Sequence, residues 1–362
     1  MNKYKVCVYA ISKNEEKFVD RWYESMKEAD YIVVLDTGST DNTISKLQDK
    51  GVIVKQKIIN PWRFDVARNE SMKLIPDDTD ICVCTDLDEV FNKGWRKELE
   101  RVWKKDTNRC KYIYNWSLDD NNNPKVSFYY EKIHSKDGFK WINPVHEILE
   151  CEKDENYVIT DKIILNHYPD STKSRSSYLK LLEMSIKENP NNDRNMHYLG
   201  REYMYYGKYK EAIKTLKRHL KLKNATWKDE RCASLRFIGR CYSNLEDYKN
   251  SRIYYKKAIN EAPYLRDSYV ELALLEYRLE NYEECEKYCL KALQIKNHQK
   301  TYINETFSWD NTIYDLLSIC CYNLGKINYA IYFVDLALEF TPSDQRLLNN
   351  RNIFIEKEDF KN

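Results

Sequence analysis

Apolar positions in the first 110 residues fall into short continuous runs, separated by amphipathic stretches. The runs KVCVYAI (5–11), YIVVLD (31–36), GVIVKQ (51–56) and ICVCTD (81–86) predict strands. Between them NEEKFVDRWYESMKEA (14–29), TISKLQDK (43–50) and the stretch from about Asp65 to Leu74 predict helices. Continuous apolar runs alternating with helices imply a parallel sheet covered on both faces. Ligands of such sheets bind beyond the carboxyl ends of the strands. The polar clusters Ser12-Lys13-Asn14-Glu15, Asp36 to Asp41 and Asp86-Leu87-Asp88-Glu89 all lie at those ends.

From about Ser174 the pattern changes to repeating helix pairs. The segments 198–216, 237–255, 271–289 and 316–334 align with one another. Their turn positions Tyr209, Tyr248, Tyr282 and Ile327 are 39, 34 and 45 residues apart, and Ala212, Ser251, Cys285 and Ala330 follow three positions later. A basic period of 34, with insertions in two linkers, is the tetratricopeptide pattern. The repeat tyrosines read as packing between helices, and the superhelix as a whole as a groove for a polypeptide. The expected organisation is an α/β domain over 1–172, a connecting helix over 173–195, repeats over 196–345 and a tail over 346–362.

Charge and cysteine content narrow the function. Net charge is +2, from 59 basic and 57 acidic residues, so no basic face points to nucleic acid. No apolar run reaches the roughly 18 residues of a membrane-spanning helix. The start of the chain does not read as a signal peptide. Eleven scattered cysteines without a Cys-x-x-Cys pair fit reduced core thiols in a cytoplasmic protein, with a structural zinc site as the alternative.

Three carboxylates within four positions, Asp86, Asp88 and Glu89, follow a buried strand. Acidic groups are rarely buried unless paired with a cation. Oxygen ligands of this kind suit Mg²⁺ or Mn²⁺, which also bridges nucleotide phosphates.

AISKNEEKFVDRW, VVLDTGSTDNT, PWRFDVARNE and CTDLDE, in that order and spacing, resemble family 2 glycosyltransferases of the GT-A fold. The match is most similar to bacterial members with C-terminal tetratricopeptide repeats, including bacteriocin peptide S- and O-glycosyltransferases. It is also similar to glucosyltransferases of the lipooligosaccharide core. INPVHEIL (142–149) and ILNHYP (164–169) extend it.

The resemblance implies a fold and a set of roles. The fold is α/β: a Rossmann-like, mostly parallel GT-A sheet followed by an all-α repeat superhelix. Ala10, Ile11, Ser12 and Glu15 would line the uridine pocket, and Asp36, Gly38 and Ser39 would contact base and ribose. Thr37 stands where many members carry a second aspartate. Arg63 and Arg68 would serve the nucleotide-sugar, with Arg68 equally suited to an ion pair holding the Asp86 loop. Asp86 would face the ribose or donor sugar and Asp88 the metal, with Glu89 orienting the loop. His167 or His146 would complete the metal site, and either could be a structural histidine.

Glu147, 59 positions after Asp88, is the candidate base. The implied reaction moves glucose or N-acetylglucosamine from a UDP-sugar, with Mn²⁺ or Mg²⁺, to a side chain of a peptide or protein held by the repeats. A cell-envelope or lipid-linked glycan acceptor and a non-catalytic scaffold are the alternatives. A homodimer through an exposed repeat face is a further expectation.

Overall fold

The computed structural model describes residues 3–170, 178–299 and 301–359. Its contacts divide the chain into two units, one of residues up to Glu188 joined by 301–302, the other of the remainder.

The first unit opens with β1 (Val6–Ser12), α1 (Val19–Met26), β2 (Tyr31–Asp36), α2 (Thr43–Asp49), β3 (Ile53–Gln56), α3 (Phe64–Met72) and β4 (Ile81–Cys84). There follow β5 (Glu89–Phe91), α4 (Trp95–Val102), β6 (Arg109–Leu118), β7 (Pro124–Ser135), β8 (Phe139–Ile142), β9 (Ile148–Cys151), β10 (Tyr157–His167) and α5 (Tyr178–Glu188). Eight strands form one sheet in the order β3-β2-β1-β4-β7-β6-β10-β5, while β8 and β9 pair separately. β1 lies parallel between β2 and β4, β7 runs antiparallel between β4 and β6, and β10 is parallel to β6. Every residue of β1 is buried, as a central strand with both faces covered requires. Trp22, Trp95, Leu99 and Tyr112 fill one side of the sheet. Cys7, Tyr9, Cys82 and Trp141 fill another cluster.

Helix α1 begins at Val19, later than the apolar periodicity from residue 14 predicts. Asn14 has φ +54°, and its side-chain oxygen accepts from the Thr40 amide at 2.7 Å. The Glu15 amide donates to Thr43 Oγ at 2.8 Å. Local hydrogen bonding of this kind competes with helix, and it stitches the loop after β1 to the loop after β2.

The second unit contains α6 (Asp193–Tyr205), α7 (Tyr209–His219), α8 (Lys228–Asn244), α9 (Tyr248–Glu261), α10 (Arg266–Arg278), α11 (Tyr282–Gln294), α12 (Thr312–Asn323), α13 (Ile327–Phe340) and α14 (Gln345–Asp359). The four turn positions read from the sequence are the first residues of α7, α9, α11 and α13. Within a pair, helices approach at glycine: a Cβ on Gly200 would lie 2.5 Å from Leu216 and one on Gly239 2.7 Å from Tyr255.

Contacts divide the chain at Glu188, inside the stretch expected to connect the halves, and α5 packs with the first unit through the 2.7 Å Arg63–Glu188 ion pair and the Phe64–Tyr178 ring contact. Of the helix expected over 173–195, residues 173–177 lie outside the described residues, 178–188 form α5, and a turn precedes α6. The expected tail is mostly a helix, α14, whose Leu347 and Phe354 cover Ala330, Val334 and Ala337. Its residues 360–362 lie outside the described residues. A final helix of this kind closes an otherwise open apolar face.

Candidate active site

Strands β1, β2, β4 and β10 point the same way, so Ser12, Asp36, the turn after Cys84 and His167 gather at one sheet edge. Ser12 pairs with Asp36 in the parallel register. Ser12 Oγ donates to Asp36 Oδ2 at 2.9 Å, and the Gly38 and Ser39 amides donate to Oδ1 at 3.0 and 2.8 Å. Ser39 Oγ and Gln56 Nε2 donate as well. Burial would raise the Asp36 carboxyl, but the bonds from Ser39, Gly38 and Ser12 hold it below the ordinary range. Five donors saturate the roughly four lone-pair sites of a carboxylate. Asp36 thus shapes the 37–39 turn, where Gly38 takes φ +112°, a conformation that favours glycine. Thr37 donates its hydroxyl to the Ser12 carbonyl at 2.9 Å. Ala10 and Ile11 are buried in β1 under this loop.

The carboxylate turn is held from α3 and β7. Arg68, 3% exposed, donates from Nη2 to Asp86 Oδ1 at 2.9 Å, from Nε to Glu147 Oε1 at 2.6 Å and from Nη1 to Cys84 Sγ at 3.3 Å. Its neighbours explain why α3 can do this. Ala67 packs under Ile11 and Leu35. Asn69 exchanges two hydrogen bonds with the backbone of Trp141, at 2.8 and 2.9 Å. That exchange ties β8, and with it the loop carrying Glu147, to the same helix. The Arg68 guanidinium also lies over the Trp141 ring, 5.0 Å from its centroid.

Lys132 on β7 is buried, with Nζ 3.3 Å from Asp86 Oδ2 and 3.9 Å from Glu89 Oε1. Glu89 Oε2 accepts the Asp86 amide at 2.9 Å, and Tyr114 donates to Oε1 at 2.8 Å. Glu89 therefore ties the two ends of the turn together. Burial would raise the Asp86 carboxyl, but Arg68 and Lys132 hold it well below the usual range. Burial and the neighbouring Asp86 and Asp88 push Glu89 up against the pull of Lys132.

Asp88 faces His167 across the antiparallel pairing of β10 with β5, in which His167 stands opposite Glu89. His167 Nε2 is 3.4 Å from Asp88 Oδ2, and Nδ1 is 3.0 Å from the Trp116 carbonyl. Burial would lower the His167 pKa, but Asp88 and the Trp116 carbonyl raise it above its ordinary value. The Trp116 indole stacks on the imidazole at 4.7 Å. A carbonyl on Nδ1 fixes the ring as it does in metal-binding histidines, leaving Nε2, beside Asp88, as the nitrogen that could reach a metal. His146, the other candidate, packs edge-on against Tyr178.

Arg63 does not join the group. Its guanidinium is clamped to Asp65 at 2.9 and 3.0 Å and to Glu188, because it precedes α3 and reaches toward α5. Glu15 contributes its amide to the loop junction already described.

The donor set fits a divalent cation. Asp88 and His167 offer one oxygen and one nitrogen, and around them Asp86, Asp88, Glu89 and Glu147 stand against Arg68 and Lys132. Asp86 and Glu147 share Arg68, Asp86 and Glu89 share Lys132, and Asp88 faces His167. Among the described residues no group of three or more His, Cys, Asp or Glu side chains forms a closed metal cage. An open pair is what Mg²⁺ or Mn²⁺ sites that share substrate phosphates use. All eleven cysteines are free thiols, ten of them buried.

Lys132, Tyr114 and Trp116 were not legible as site residues. The one sequence signal for Lys132 is a charged residue beside Ile133 and His134 in a strand-like run.

A family model described as Glycosyl transferase family 2 matches residues 7–155, and the Tetratricopeptide repeat model matches 237–264 and 267–299. With the sheet order above, the first part of the chain has a GT-A-like fold and resembles family 2 glycosyltransferases over 7–155, and the helix pairs that follow are tetratricopeptide repeats. Among solved structures the chain is similar to MamA (18% identity over 48% of this chain and 95% of that one, TM-score 0.37). It is also similar to MamA from Desulfovibrio magneticus RS-1 (15%, 47% and 87%, TM-score 0.38). A third is YrrB, described as a TPR protein with an unusual peptide-binding site (15%, 49% and 84%, TM-score 0.40). These likenesses are too distant to carry an argument. Among curated proteins none matches. Among the described residues no helix is long and apolar enough to cross a membrane.

Proposed function

We propose that the protein is a metal-dependent inverting glycosyltransferase that moves glucose or N-acetylglucosamine from a UDP-sugar to a side chain of a peptide or protein. The observation that carries this reading is the split of the Asp86-x-Asp88 turn. Asp86 is bound by Arg68, and Asp88 faces His167.

The uridine would lie against the loop made by Ser12, Gly38 and Ser39, where small side chains and a positive φ leave backbone open to close approach. Asp88 and His167 would hold Mn²⁺ or Mg²⁺, which when bound neutralises charge on the departing diphosphate. Asp86, with about a third of its side chain open, would accept from a donor-sugar hydroxyl. Glu147, on the same guanidinium as Asp86, would take the proton of the acceptor. The acceptor oxygen or sulfur then forms its bond to the anomeric carbon as the bond to the diphosphate oxygen breaks. UDP leaves with the bonding pair, and the anomeric centre inverts.

The repeats support a polypeptide acceptor, since a stacked helix-pair array presents an extended concave face. The test is transfer from radiolabelled UDP-glucose and UDP-N-acetylglucosamine to peptide pools, with Mn²⁺ present or chelated. Label appearing on a peptide only with metal supports the reading. Label that goes to a lipid-linked or envelope glycan instead overturns the acceptor, and no metal-dependent turnover overturns the enzyme.

A further inference from the structure

We propose that Lys132 is a positioning residue for the transfer. Its ammonium group, fixed on β7, holds the 86–89 turn so that Asp86 presents its open edge to the donor sugar. The inference rests on the glycosyltransferase reading above.

Burying an ammonium ion costs several kcal/mol of hydration, and lysine ordinarily carries its charge out to water on a flexible stem. Lys132 does neither: it is 5% exposed. Stability alone is a weak reason for it, because replacing a buried ion pair as a whole by apolar side chains of similar volume is often neutral or stabilising. Geometry gives a stronger one. Nζ lies 3.3 Å from Asp86 Oδ2 and 3.9 Å from Glu89 Oε1. Glu89 in turn accepts the Asp86 amide, so both ends of the turn answer to one cation.

Arg68 reaches the same carboxylate from α3 at 2.9 Å. Two buried cations, on elements far apart in the chain, thus fix Asp86 from behind, while 34% of its side chain stays open. Arg68 Nη2 also reaches Oδ2, at 3.2 Å, but both contacts come from one nitrogen, so Lys132 supplies the second, independent point that stops the carboxylate swinging about it. The site needs Lys132 because the sheet inserts β7 between β4 and β6, bringing a strand from a later hairpin beside the strand that feeds the turn. Misplacing a sugar-facing group by about 1 Å costs about 100-fold in rate.

Lys132→Met keeps the stem and removes the charge. We expect kcat for metal-dependent UDP-sugar turnover to fall about 100-fold, with KM for the donor within about threefold, and the melting temperature to drop as Asp86 and Glu89 lose a buried counter-charge. Lys132→Ala opens the space of the stem. Ethylammonium should restore at least about a tenth of the lost kcat there, and sodium should not, since only the former carries hydrogen-bond donors. This second variant reads function even if the first folds poorly.

Wild-type kcat in Lys132→Met overturns the proposal. So does a loss that tracks melting temperature with no ethylammonium rescue in Lys132→Ala. A wild-type protein that turns over no UDP-sugar overturns the glycosyltransferase reading, and this role of Lys132 with it.

Discussion

Asp86 and Asp88 sit one residue apart and serve different neighbours, which is why the turn reads so clearly in the sequence. A buried apolar strand followed by carboxylates needs a reason that packing does not supply. Asp88→Ala should lower metal-dependent turnover at least about 100-fold and leave the circular dichroism spectrum unchanged. Full activity in chelator would remove Asp88 from the metal. Glu147→Gln can still accept from Arg68 Nε, so donor binding by calorimetry should be unchanged while transfer slows about 10²–10⁴-fold. Weakened donor binding would move Glu147 from the acceptor to the nucleotide.

His134 makes a prediction on stability. Fully buried between Tyr9 and Phe139, it is pushed by burial from 6.5 down to about 3. The unfolded chain therefore binds a proton that the folded one refuses between those values, so stability is lost as pH falls below 6.5. The loss is up to about 1.4 kcal/mol per pH unit. His197, in the repeats, has the same sign and a similar value. Unfolding free energies from urea titrations at pH 7 and pH 5 should differ by about 2 kcal/mol for the first unit, with the midpoint lower at pH 5. Equal midpoints would contradict a neutral His134.

At the scale of elements, the helix-pair turns share a feature that no single repeat announces. Gly207, Glu246, Glu280 and Gly325, each two residues before its second helix, all take positive φ between 57° and 72°. A left-handed residue with a Cβ is strained, and glycine is not. Glu280→Gly should stabilise the repeats by about 0.5–1 kcal/mol, read from the urea midpoint. Gly200→Ala should destabilise them by about 1–3 kcal/mol through the clash with Leu216.

Elements whose apolar period is local, β1, β2, β4 and the repeat helices, were legible in the sequence. The hairpin of β6 and β7 was not, because β7 alternates exposed, half-buried and buried positions without a clean period. Its turn is closed by Asp119, which accepts from the Asn121 and Asn123 amides at 2.9 and 2.7 Å. In the sequence this stretch shows only polar composition.

Across the whole molecule, sheet order decides which polar residues meet. Strand ends at Ser12, Asp36 and His167 could be placed at one edge from the parallel pattern and the family resemblance. Lys132 could not, since its burial depends on β7 entering between β4 and β6, a pairing between strands distant in sequence. The pairing of Arg63 was not legible for a related reason: its partner Glu188 lies 125 positions away. The repeats were legible through their spacing, while the capping role of α14 rests on a contact between its own Leu347 and Phe354 and α13.

The most direct measurement is titration calorimetry of the full chain with a panel of UDP-sugars, with and without Mn²⁺, beside Asp88→Ala. The account predicts that one donor binds wild type only with metal and that Asp88→Ala loses this binding. Donor binding that ignores both Mn²⁺ and Asp88 would contradict it.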